Sequence, residues 1–216
     1  MSKTNTNPII QFTKVTKKIN LQSQKTFLFI DGSNLYAGQY ELFGPHHYLN
    51  FQIFIKQIEK KLRVKFSKIF FYASYSPKPK RSSQKSKNYL KNEGLFYKNV
   101  KNTPNSIFFK GYRSKTSGKE KEVDVKLAVD IVNLAHQNRY NRLYIMSGDA
   151  DFMHALFIVK KLQKQVNIVC IEGKIMHKAT FYFNTSIFFF NKINYKAHKG
   201  QKIRYLKLPK TITNKT

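Results

Sequence analysis

The stretch Thr26-Phe-Leu-Phe-Ile-Asp-Gly-Ser-Asn34 decides the fold. Its first half is a continuous apolar run and its second half a turn signal, Asp31-Gly32. That combination suits a strand covered on both faces, which then gives way sharply to a helix. The same unit recurs downstream. Asn50 is placed to cap a helix carrying Phe51, Phe54, Ile55, Ile58 and Leu62 at i, i+3, i+4, i+7 and i+11. Lys68–Ala73, Ser106–Tyr112, Arg142–Ser147 and Val166–Ile171 read as four further short apolar strands. Helical periodicity fills 122–138, and Phe152, Ala155, Leu156, Val159 and Leu162 stripe another helix. Residues 82–93 suit a short polar helix, and 174–195 fit either a closing helix or an edge strand. Alternating strands and helices, with strands apolar on both faces, specify an open α/β fold with a parallel sheet between helix layers. In such sheets the site lies at the carboxyl ends of the strands.

The acids mark that end. The chain holds 40 Lys+Arg against 11 Asp+Glu, and its five Asp are Asp31, Asp124, Asp130, Asp149 and Asp151. Asp31 and Asp149 fall just past strand ends, where Asp-Gly and Gly-Asp also favour turns. Asp151 and Asp124 are placed to cap helices, which is their plain structural alternative. At about 100° per residue, Asp124 falls among Ala128, Ile131, Val132 and Ala135, so it is expected to face the sheet, with Asp130 at the flank. Several carboxylates brought together repel one another unless a cation joins them. Oxygen donors suit Mg²⁺ or Mn²⁺, which keep waters for a phosphate to displace. No Cys/His spacing suits zinc, because His46, His47, His136, His154, His177 and His198 are scattered and Cys170 is the sole Cys.

Three segments together, Phe29-Ile-Asp-Gly-Ser-Asn-Leu-Tyr36, Glu122-Val-Asp-Val-Lys-Leu-Ala-Val-Asp130 and Met146-Ser-Gly-Asp-Ala-Asp-Phe152, resemble the signatures of the NYN domain, a branch of the PIN-like nucleases, and its LabA-like members in particular. The likeness runs over roughly residues 25–175. It implies a Rossmann-like three-layer α/β/α sandwich whose mainly parallel sheet has about five strands. It also implies a metal-dependent endonuclease, usually acting on RNA. Asp31, Asp124, Asp149 and Asp151 match the metal-binding, catalytic acids. Asn34, Asp130 and Ser147 match positions that support the ligands or orient the phosphate. Relatives often carry a further acid after the fifth strand, where this chain has Ala179–Asn184 and no Asp.

Charge points to the same partner without naming a reaction. A net charge of +29 draws polyanions, above all nucleic acid. Yet Lys outnumbers Arg by 34 to 6 amid abundant Asn, Ile, Phe and Tyr, which is also the profile of an AT-rich coding sequence. The clusters at 78–91 and 192–216 read as solvated loops, tails or phosphate-binding arms. Residues 1–24 are expected to form a basic extension, 25–192 the domain, and 193–216 a basic tail. No apolar run reaches membrane length and no signal peptide is evident, so a cytoplasmic protein is expected, and the sequence allows a homo-oligomer. The alternative to a nuclease is a non-catalytic nucleic-acid binder on the same fold, with Tyr72, Tyr75 and Tyr112 as candidate base-stacking rings. A phosphatase using an Asp nucleophile needs a second Asp two residues on, and here Ser33 stands there. No GxGxxG marks a dinucleotide site.

Overall fold

The computed structural model describes residues 25–78, 81, 83–113, 120–172, 182–190, 201–207 and 212–213. The expected N-terminal extension lies outside them. In chain order the elements are β1 (Thr26–Asp31), α1 (Gly32–Phe43), β2 (His47–Tyr48), α2 (Phe51–Leu62), β3 (Lys68–Ala73) and α3 (Gln84–Lys101). They continue with β4 (Ser106–Lys110), β5 (Tyr112–Arg113), β6 (Glu120–Lys121), α4 (Val123–His136), β7 (Arg142–Met146) and α5 (Met153–Lys161). The last are β8 (Gln165–Ile171), β9 (Asn184–Phe189), β10 (Gln201–Tyr205) and β11 (Ile212–Thr213). No helix among the described residues is long and apolar enough to cross a membrane.

Seven strands form one sheet in the order β10-β9-β8-β7-β1-β3-β4, and every pairing in it is parallel. The α/β/α sandwich expected from the sequence is present, with two strands more than the five anticipated. Both come from the C-terminal region. The stretch 174–195 supplies β9, and the expected tail at 193–216 supplies β10, while β11 pairs antiparallel with β2. β10 reads as a tail because its sequence, Gln201-Lys-Ile-Arg-Tyr205, sets charges at alternate positions. An exposed edge strand carries such charges because they discourage further pairing. The polar helix expected at 82–93 is longer, running to Lys101.

Two cores clothe the sheet. Leu28 and Ile30 point to the face covered by α1, α2 and α3, whose Leu35, Tyr36, Phe54, Ile58 and Phe96 are buried there. Phe27 and Phe29 point to the opposite face, against Leu127 and Ile131 of α4 and Leu156 and Val159 of α5. Asn50 does cap α2, accepting from the Ile53 N–H at 3.2 Å.

The sheet grows from β1 in two directions. β3 and β4 lie on one side, reached through helices on the first face. β7 and β8 lie on the other, with α4 and α5 on the second face. The crevice between the carboxyl ends of β1 and β7 is therefore the topological switch point of the sheet.

Gly32 makes the turn out of β1 possible. A Cβ at this position would collide with the Phe71 ring. Phe71 cannot yield, because it is fully buried and packs against Phe51, Phe96, Tyr97 and Phe108. Gly32→Ala is expected to lower unfolding stability by about 1–3 kcal/mol through overpacking, measured as a reduced urea midpoint at unchanged slope.

Candidate functional site

β1 and β7 pair in register through Ile30 and Met146, which brings Asp31 and Ser147, the next residue of each strand, face to face at the switch point. Asp31 is the N-cap of α1, and its Oδ1 accepts the Asn34 backbone N–H at 3.0 Å. Its Oδ2 accepts the Ser147 hydroxyl at 3.0 Å. The Ser147 Oγ in turn accepts the Asp149 N–H at 3.0 Å, and Asp149 Oδ1 accepts the Asp151 N–H at 2.9 Å. The Asn34 side-chain oxygen receives the Gly148 N–H at 3.4 Å. One chain of hydrogen bonds thus joins Asp31, Asn34, Ser147 and Asp149 across two strand ends that lie 116 residues apart in sequence.

The other sequence-predicted residues lie around this chain. Asp149 is half-buried and Asp151 exposed. Asp151 does not cap α5, whose N-cap is Phe152, and Asp124 does not cap α4, whose N-cap is Glu122 in the left-handed region at φ 69°. Asp124 is exposed, contrary to its expected place on the apolar face. The buried stripe of α4 is Val123, Leu127, Ile131 and Ala135. By angle Asp124 falls within that stripe, but it stands in the first turn, ahead of the cover that Leu127 and Ile131 share. Asp130 is hydrogen-bonded by the buried Tyr72 hydroxyl at 2.8 Å and ion-paired with Lys126. Burial, reinforced by the Asp130 carboxylate, pushes the Tyr72 hydroxyl far above its ordinary pKa, so it stays a proton donor. Tyr72 is therefore a core residue and not a stacking ring. Tyr75 has Lys101 and Lys110 over its ring, and Tyr112 is exposed.

Asp124 lies six residues before Asp130, about 9 Å farther along the helix axis. That offset spreads the acids. Among the described residues no three His, Cys, Asp or Glu side chains are grouped closely enough to hold a metal ion. The donor chemistry at the crevice, hard carboxylate oxygen, fits Mg²⁺ or Mn²⁺. Both oxygens of Asp31, however, are already engaged by protein donors.

The NYN domain family matches residues 25–187. The chain belongs to the NYN domain family. The family is nuclease-like, with a PIN-like nuclease fold, and the NYN match spans the whole hydrogen-bonded crevice. A crystal structure of a protein of unknown function from Vibrio parahaemolyticus shares the fold, at a TM-score of 0.56 and 16% identity over 78% of this chain and 94% of that chain. No curated protein matches.

Two glutamates outside the three motifs, Glu93 and Glu172, are built into the NYN domain near the carboxyl edge. Glu93 of α3 accepts both the Ser76 N–H at 2.9 Å and the Ser76 hydroxyl at 2.7 Å, which pins the loop after β3. Glu172 directly follows β8, is buried, and leaves its Oε2 without a hydrogen-bond partner. Only its position directly after an apolar strand signalled it.

Burial raises the pKa of Glu172, while a backbone hydrogen bond involving Phe190 opposes the shift. A carboxyl raised in the folded state holds its proton more tightly there than when unfolded. Its contribution to stability is thus present at low pH and lost as pH rises through the folded pKa. Glu172→Gln is expected to gain stability relative to the parent chain as pH goes from acid to neutral, read from paired urea titrations. Ser147→Ala strips a donor from buried Asp31 and an acceptor from the Asp149 N–H. It is expected to cost about 1–3 kcal/mol in the same measurement.

Proposed function

We propose that the protein is a metal-dependent endoribonuclease that hydrolyses phosphodiester bonds at the crevice between β1 and β7. One observation carries the reading: the continuous hydrogen-bond chain that gathers Asp31, Asn34, Ser147 and Asp149 at the switch point of a nuclease-family sheet. Asp31 is the fixed member, held by α1 and Ser147. Asp149 is half-fixed by its turn. Asp124 and Asp151 are exposed to solvent. Asp31, Asp149, Asp151 and Asp124 would hold Mg²⁺ or Mn²⁺. When bound, such an ion lowers the pKa of water and offsets the charge that develops on a phosphoryl group. Asn34 holds the Gly148 backbone and keeps the turn after β7 open toward the substrate. Ser147 orients Asp31. The net charge of +29 draws an RNA backbone toward acids that would otherwise repel it.

The absence of three closely grouped acids among the described residues favours a second reading, a nucleic-acid-binding module without cleavage. Incubation with single-stranded and structured RNA, with Mn²⁺ and then with excess EDTA, separates the two. Cleavage that stops with EDTA and falls by at least about 10³-fold in Asp31→Asn or Asp149→Asn supports the nuclease. Cleavage that persists in EDTA or in those variants rejects it. RNA binding by parent and Asp31→Asn alike, with cleavage by neither, selects the binding module.

A further inference from the structure

α4 and α5 cover one face of the sheet side by side, and the groove between them is open to solvent. It has a volume of about 580 Å³ and is walled by Ala128, Val129 and Val132 of α4 and by Ala155 and Ile158 of α5. The stripe continues at Val125. Val125 and Val129 are 68% and 53% exposed, one turn apart, where a solvated helix face ordinarily carries polar residues. None of the nine residues lining the groove is Lys or Arg, although the chain has 40 of them in 216 residues.

This chemistry selects the occupant. A nucleic-acid backbone needs cations, and the groove offers no Lys or Arg, only the imidazoles of His136 and His154. An acidic protein would settle on the lysine-rich surfaces elsewhere. Two copies of this +29 chain, by contrast, repel wherever their lysines meet, so they can approach closely only on a face without cations. The groove is also self-complementary. Asp151 stands at its upper end, beside the carboxyl edge of the sheet, and exposed Lys161 lies one turn past Ile158 at its lower end. α4 and α5 each lead into parallel strands and so run in the same direction, with their helix dipoles aligned. A two-fold axis across the groove would set them antiparallel to their copies. It would bring each Asp151 end to the other copy's Lys161 end, oppose the dipoles, and bury the valine stripe.

We infer that the α4–α5 face is a homodimer interface, formed by packing the two helices against the same pair of a second copy around a two-fold axis. Asp151 lines the groove, so the dimer sets each candidate site at the margin of the interface.

Sedimentation velocity of the full chain over a micromolar concentration series, at low and high salt, tests this independently of any cleavage. The parent chain is expected to dimerise, and more tightly at high salt, where repulsion between the bodies is screened. Val129→Lys and Val125→Lys alter exposed positions and are expected to keep the parent melting temperature. Each is expected to weaken the dimer about tenfold or more. Tyr205→Lys, on the exposed side of β10, is expected to leave it unchanged. A parent chain that stays monomeric throughout overturns the inference. So does a dimer indifferent to both valine variants or broken by Tyr205→Lys. A monomer whose RNA affinity falls with Val129→Lys also overturns it and assigns the groove to nucleic acid.

Discussion

A carboxylate left 6% exposed must have its lone pairs met by donors or shed its charge. The way Asp31 meets that demand organises the crevice. One oxygen caps α1, fixing the direction in which the chain leaves β1. The other takes the Ser147 hydroxyl, tying the end of β1 to the end of β7. Because Ser147 then receives the Asp149 N–H, the position of the second acid follows from the first. The crevice is thus built outward from one desolvated group, and enclosure decreases along it: Asp31 is buried, Asp149 half-buried, Asp151 and Asp124 exposed.

The sequence made the fold legible where apolar runs were continuous. β1, β3, β4, β7 and β8 are each dense in Ile, Val, Phe or Tyr and bounded by turn residues, so period and punctuation agreed. β9 falls in the stretch that fits either a closing helix or an edge strand, and β10 escaped for a physical reason. The edge of a sheet is relieved of the need to be apolar on both faces, so Gln201–Tyr205 carries Lys202 and Arg204, and Arg204 reaches back to the Lys61 carbonyl at 3.1 Å and to Ser186. Periodicity does not register a strand that is itself paired on one side only.

Within the crevice, residue types and strand ends were legible and side-chain direction was not. The helical wheel put Asp124 among apolar neighbours by angle. A wheel has no axial coordinate, however, and Asp124 lies in the first turn, beyond the apolar cover that Leu127 and Ile131 share. Asp130 sits deeper, where a buried tyrosine hydroxyl and Lys126 hold it. Glu172 passed unnoticed because a lone glutamate after a strand carries no pattern. Its burial is a property of β9 folding alongside, with the Glu172 N–H given to Phe188.

The family match stops at residue 187, in the middle of β9, whereas the sheet does not close until β10 has paired with Thr185–Phe189. Ile187, Phe188 and Phe189 are almost wholly enclosed. A fragment trimmed to the homology boundary would sever a strand, strip its neighbour, and leave β8 with a ragged, greasy margin prone to clumping. β10, set within a lysine-rich stretch that looks dispensable, is the selvedge that keeps the sheet from fraying.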